Sequence, residues 1–175
     1  MVVWFLFGAM CMVIVLLVGA YIKLNSLFQN AQKAWNKLDN RLKNRAELLP
    51  SLSFTVSTLP ELNRDEIHQK FTELTTPSSS LSQRVQKEND ITQTLKQIFT
   101  AVMRHPEVEQ EPHVKHLQES IIAAEGGVQR AKRAYNTAAH NFNTISNVIP
   151  LNWVVSVMEM KPFEYFDFDN STSTR

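Results

Sequence analysis

The apolar positions of this chain follow two regimes. From Val2 to Ile22 no charged residue interrupts the sequence, and from Leu24 onward apolar residues instead recur every three or four positions with polar residues between them. The first regime covers 21 residues. At helical rise that is about 31 Å, close to the ~30 Å hydrocarbon core of a bilayer. A buried core helix is the ordinary alternative, but this run has no polar face and the chain is too short for the large core that would enclose it. Residues 1–22 therefore read as a transmembrane anchor, with Trp4 and Tyr21 near its two ends where interfacial aromatics belong. A cleaved signal peptide is the rival reading. Val18-Gly19-Ala20 resembles a small-residue cleavage site, but no Lys or Arg precedes the run.

The second regime predicts rods. Leu24, Phe28, Ala31, Trp35, Leu38, Leu42, Leu49, Leu52, Val56 and Leu59 alternate spacings of four and three, broken only at Arg45. Val114, Leu117, Ile121, Ala124, Val128, Ala131, Tyr135, Ala138, Phe142, Ile145 and Ile149 repeat the pattern between Pro112 and Pro150. This is the period of left-handed bundle packing. Between them, Asp65 to Leu74 predicts a short helix, "TTPSSS" a break, and Leu81 to Met103 a longer helix ended by Pro106. The three stretches Leu24–Leu59, Arg64–Arg104 and His113–Ile149 each run about 36 to 41 residues, or about 54 to 62 Å. Equal rods with short connections imply an all-α, up-down-up antiparallel bundle over residues 23–168. The turn "HPEVEQEPH" then lies near the membrane, and Pro60 and Pro150 at the far end.

Pro50 falls inside the first rod. The stripe resumes in phase after it, so the expectation is a bend rather than an end. The segment "PLNWVVSVMEMKPFEYFDF" is strongly apolar and is expected to fold back as a short fourth element. Its aromatics around Phe163 would then pass near the level of Pro50, curving the first rod around them. Residues 169–175 read as a disordered tail.

Charge and composition narrow the function. Lys plus Arg number 18 against 17 Asp plus Glu, so the basic excess of a nucleic-acid binder is missing and no nucleic-acid partner is expected. "QRAKR", Gln129 to Arg133, is too short to change that. Four glycines, Gly8, Gly19, Gly126 and Gly127, leave no dinucleotide fingerprint, P-loop or nucleophile elbow. The single cysteine, Cys11, forms no internal disulfide and reads as an inert buried thiol. Nothing basic precedes the anchor, whereas Lys23, Lys33 and Lys37 follow it. The positive-inside rule then puts the N-terminus outside and the bundle in the cytoplasm, with a periplasmic bundle as the alternative.

Two side-chain constellations carry candidate chemistry. His105, His113 and His116 cluster with Glu107, Glu109 and Glu111. A proline-rich turn is a poor frame for ligands, and the E-x-x-H pairs of helix-bundle di-iron sites do not occur. Neither metal nor cofactor is expected. Asp39, Arg45, Glu125, Lys132 and Asn136 lie on or beside the seams. If the first and third rods start level, Asp39 comes within a turn of Lys132, and Arg45 near Tyr135. This is a candidate buried polar layer that fixes register, with charges on a solvated face as the ordinary alternative. No cleft for a catalytic acid–base pair or a small-molecule substrate is implied.

"AWNKLDNRLKNRAELLPSL", Ala34 to Leu52, resembles the signature of the LemA family, bacterial membrane-anchored helical proteins. Trp35, Asp39, Leu42, Arg45, Leu48, Leu49, Pro50 and Leu52 match the family pattern. Ala46, Glu47 and Ser51 stand where the family has Tyr, Asp and Asn. A second motif is matched in order by Leu117, Gln118, Glu125, Tyr135, Asn136, Phe142, Asn143 and Pro150. Gly126 stands where the family has Asn, and Lys132 where it has Arg. The resemblance covers roughly Ile22 to Phe168. It implies an N-terminal transmembrane helix in the bacterial inner membrane, N-terminus out, and an antiparallel four-helix bundle in the cytoplasm. It brings no biochemical activity. It implies a non-enzymatic partner of membrane-bound machinery, membrane proteases among the candidates.

The expectation that follows is a membrane-anchored helical scaffold or adaptor that binds another membrane protein or copies of itself. A metal-binding bundle enzyme and a lipid-facing envelope-stress protein are the alternatives.

Overall fold

The computed structural model describes residues 2–56, 59, 62–148 and 151–166. Pro60, Ile149, Pro150, Phe168 and the tail, on which sequence expectations were placed, lie outside the described residues. All regular secondary structure among the described residues is helical: α1 (Val2–Ala46), α2 (Leu49–Val56), α3 (Arg64–Thr75), α4 (Leu81–Met103), α5 (Pro106–Glu109), α6 (Pro112–Ser146) and α7 (Leu151–Val157).

The helix ends follow from local chemistry. Asn63 caps α3 by accepting from the Asp65 and Glu66 amides, and Ser80 caps α4 by accepting from the Gln83 amide. Pro106 and Pro112 occupy the first positions of α5 and α6, where a missing amide hydrogen costs nothing. Pro50 is explained in the same way, and this corrects the expected bend. α1 ends at Ala46, a turn covers Glu47 and Leu48, and α2 begins at Leu49. Pro50 therefore sits in the first turn of a new helix, among amides that lack an intrahelical partner anyway. The seam crosses the break in phase, with Leu42, Arg45, Leu49 and Leu52 all buried.

The chain packs as two compact units. The first comprises Met1–Lys37 with Arg133–Tyr165, and the second Leu38–Lys132 with Phe166 onward. In the first unit, Phe28 meets Phe142 at 5.5 Å between ring centroids and Trp35 meets Tyr135 at 5.2 Å. Seven residues forward on α1 correspond to seven residues back on α6, so the two helices run antiparallel there. In the second unit Arg41 lies against Gly127 and Arg45 against Glu125, again in opposite senses. The first and third rods are therefore antiparallel, not parallel as an up-down-up order requires.

The second rod explains the discrepancy. "TTPSSS" reverses the chain instead of interrupting a rod. Lys87, near the start of α4, donates to the carbonyl oxygens of Glu73 and Thr76 at the end of α3, both at 3.2 Å. That contact closes an α3–α4 hairpin and puts a cation on the carbonyl end of α3. α4 then runs in the sense of α1: Arg84 pairs with Asp39, and further along Glu88 and Thr92 pair with Arg45. One extra reversal turns α6 round.

The second unit holds an aliphatic core. Leu49 and Leu52 of α2, Ile67 and Phe71 of α3, Ile91, Leu95, Ile98 and Val102 of α4, Val108 of α5 and Val114, Leu117 and Ile121 of α6 are all buried in one cluster. On α6 the buried row continues through Val128, Ala131, Tyr135, Ala139, Phe142 and Ser146. Ala139 and Ser146 replace the expected Ala138 and Ile145. An α-helix drifts about 20° per heptad against a strict seven-residue repeat, so over this length the neighbouring row takes over.

The C-terminal element is also placed differently from expectation. After α7 the chain turns through Glu159, which has φ 51°, and returns without regular structure to Phe166. Phe163 packs on Phe28 and Phe142, with centroids 5.2 and 5.3 Å away, rather than near Pro50. The antiparallel course of α6 starts this segment beside the beginning of the first rod.

Candidate functional site

Arg45 occupies a seam position between two leucines and is 1% exposed. Its guanidinium cannot shed its charge, so burial demands partners. Nη1 donates to Glu125 Oε2 at 2.6 Å and to Thr92 Oγ1 at 3.0 Å, and Nη2 donates to Glu88 Oε2. The surrounding groups are themselves held. Thr92 Oγ1 donates to the Glu88 carbonyl at 3.0 Å, and Gln129 Nε2 donates to Glu125 Oε1 at 3.1 Å. One cation is thus shared by two carboxylates from α4 and α6. Burial pushes the Glu88 carboxyl above the usual carboxylate range, outweighing the Arg45 charge, and Glu125 adds to the upward shift.

Asp39 lies one and a half turns before Arg45 on α1. Its carboxylate accepts from Lys43 at 2.8 Å and faces Arg84 at 2.5 Å. Burial works to raise this carboxyl, but Lys43 and Arg84 together hold it below its ordinary value. Parallel rods would set Arg45 beside Tyr135. Antiparallel pairing sets it beside Glu125 instead, ten residues earlier on α6.

The remaining motif residues fall elsewhere. Trp35 and Tyr135 stack within the first unit. The Tyr135 hydroxyl donates to the Glu164 carbonyl at 2.6 Å, and burial, with Glu164 nearby, raises its pKa. Asn143 donates through Nδ2 to the Phe163 carbonyl at 2.8 Å and accepts from the Phe163 amide at 2.9 Å. Lys132 and Asn136 are half-buried on α6. The motif therefore divides into a charged cluster around Arg45 and a set of pins holding the C-terminal segment.

Sequence reasoning missed Glu88, Thr92 and Arg84. Glu88 and Thr92 stand four apart beside Ile91 and Leu95, a polar pair bordering an apolar stripe, which is the only sequence signal they offer.

A cleft of about 260 Å³ adjoins the charged cluster, lined by Leu42, Lys43, Ala46, Leu74, Pro77, Arg84, Lys87, Glu88 and Ile91 among others. The histidines do not gather. His105 Nδ1 lies 3.1 Å from Glu107, and no three potential ligands among the described residues converge on one point.

The sequence profile of the LemA family matches residues 34–175. The chain belongs to the LemA family. The match begins at Ala34, one residue before Trp35, and takes in both Arg45 and Asn143. No curated protein matches the chain by sequence. The LemA assignment therefore brings a family and no named activity.

Proposed function

We propose that this LemA-family protein is a non-enzymatic, membrane-anchored scaffold that holds a helical body on the cytoplasmic face of the bacterial inner membrane. Its body would be a bundle in which α1 with α2 leads out, α3 returns, α4 leads out and α6 returns. The observation that carries this reading is the state of α1. The large side chains of its apolar stretch are bare, from Leu17 at 39% to Trp4 at 80% exposed, and it continues as one helix into the seam as far as Ala46. The charged groups of the second unit bond to one another, as a register-fixing layer would. The partner would be another membrane protein or further copies of this chain. Cross-linking in native membranes should trap a reproducible partner or homo-oligomer, and a chain that stays strictly monomeric would sink the idea. A reporter fused after Arg175 tests the orientation; activity confined to the outside would overturn it.

One observation favours a second reading. Glu88, whose carboxyl is pushed above the usual range by burial against the opposing pull of Arg45 and Arg84, lines a cleft, where a general acid could reach a substrate. A catalytic Glu88 would make Glu88→Gln inactive but normally folded and assembled. A scaffold would keep its partner in that variant.

A further inference from the structure

We propose that α7 and the residues flanking it form an interfacial foot that rests on the lipid surface beside the anchor. This inference rests on the anchor reading above and adds a second membrane contact to it.

The first ground is chemical. From Ala134 to Met158 the sequence contains no Asp, Glu, Lys or Arg. α7, "LNWVVSV", has no buried residue. Trp153 is 70% and Val157 83% exposed, and Val148 and Met158 are also open. Leu151, Val154 and Val155 are half-buried, so one face of α7 is partly covered by its own protein, and the face bearing Trp153 and Val157 is left to something else.

The second ground is position. Antiparallel pairing through Trp35–Tyr135 and Phe28–Phe142 brings Ser146, four residues past Phe142, level with about residue 24 of α1. Leu24 and Ser146 are both buried. The chain beyond Ser146 therefore reaches the level of Ile22, where the apolar run of α1 ends. Asn143 pins Phe163 through two hydrogen bonds, so the stretch between Ser146 and Phe163 leaves and returns at one height. α7 lies within that stretch. A bilayer around α1 would have its headgroup boundary at this height.

The third ground is the kind of side chain. Trp153 joins Tyr21 at that boundary, and ring systems of this kind favour the headgroup zone. Apolar side chains of surface-lying helices sit about 5–10 Å into the headgroup–acyl boundary. Lys161 and Lys23, both exposed, flank the site with charges suited to anionic headgroups.

The test uses the full chain in vesicles of phosphatidylethanolamine and phosphatidylglycerol carrying bromine near the headgroup end of the acyl chains. Four single-cysteine proteins carry an environment-sensitive fluorophore. One is the native chain, labelled at Cys11 in mid-anchor. The others are Trp153→Cys, Val157→Cys and Lys37→Cys, each with Cys11→Ser. Emission should be lost from Trp153→Cys and Val157→Cys but not from Lys37→Cys, which lies about 22 Å beyond Ile22 along α1. A loss at Cys11 (with deep-brominated lipid if needed) without loss at positions 153 and 157 leaves the anchor standing and overturns the foot. No loss at Cys11 with either lipid removes the anchor, and the foot falls with it. Blue-shifted but unquenched emission at 153 and 157 would mean that protein, not lipid, covers α7, and would also overturn the proposal.

Discussion

The two units of this LemA protein solve the same packing problem with different chemistry. The first is joined by rings and by side chains gripping backbone: Phe28, Phe142 and Phe163 form a three-ring cluster, Trp35 lies on Tyr135, and Asn143 and Tyr135 hold the returning chain at Phe163 and Glu164. The second encloses an aliphatic core and, beside it, a guanidinium with two carboxylates. Rings and amides respond less to the surrounding dielectric than a charge cluster does. The neutral set belongs to the unit that carries the apolar N-terminal run. The charged set belongs to the unit whose own helices supply all its counter-ions.

Breaking the charged cluster should have the largest effect. Arg45→Ala strands Glu88 and Glu125 together and removes a large buried side chain, so a loss of about 3–5 kcal/mol is expected. Denaturant melts of the detergent-solubilised chain would measure it. Hydrogen exchange should report the loss first in α4 and the middle of α6, with the amide of Phe163 still protected. Equal deprotection of both regions would show that the two units are energetically one.

Asn143→Ala probes the other side of the comparison. It removes both bonds to Phe163 and leaves that peptide's polar groups short of partners, costing about 1–3 kcal/mol. Faster proteolysis between Met160 and Phe166, with the Arg45 region undisturbed, is the expected readout. An unchanged cleavage rate would mean that the rings alone hold the segment.

The smallest effect is a change in pH dependence. Glu88 has a raised folded pKa, so its contribution is fully present below the ordinary carboxylate range and is lost as pH rises through the raised value. Asp39 has a lowered one, so its contribution is present above the ordinary range and is lost as pH falls through the lowered value. Glu88→Gln should therefore flatten the stability curve on the side above the ordinary carboxylate range. It should leave the acid-side loss in place, and Asp39→Asn should do the reverse. Superimposable curves for Glu88→Gln and the native chain would remove Glu88 from the account.

What could be read from the sequence was local. The bounds of α4, Leu81 to Met103, followed from the "TTPSSS" break before it and Pro106 after it. The α1–α2 seam followed from its spacing, and Arg45 was already its one anomaly. Direction was not local. A seam reads the same whether its helix runs toward or away from a neighbour, so α6 could be drawn parallel to α1 until Phe28 met Phe142. "TTPSSS" has the same composition whether it interrupts a rod or reverses it; the difference lies in Lys87 reaching the end of α3. The partners of Arg45 were hidden for a related reason. Beyond bordering the Ile91 and Leu95 stripe, the polar residues of α4 carry no mark of which face inward, and Arg45 and Glu88 are paired only once the hairpin has formed.

The first unit joins residues 1–37 to residues 133–165, and that has a consequence in time. Phe28 cannot meet Phe142 until more than a hundred intervening residues have been made, whereas the helices of the second unit lie between those two segments. Contacts this remote in sequence form late. While the chain is being synthesised, Phe28 and Leu24 stand uncovered next to the exposed apolar run. The three-ring cluster closes only when Phe142 and Phe163 have both emerged. A chain released before Phe163 would leave Phe28 and Phe142 without their third ring, so a loss late in the sequence is felt at the start of the first rod.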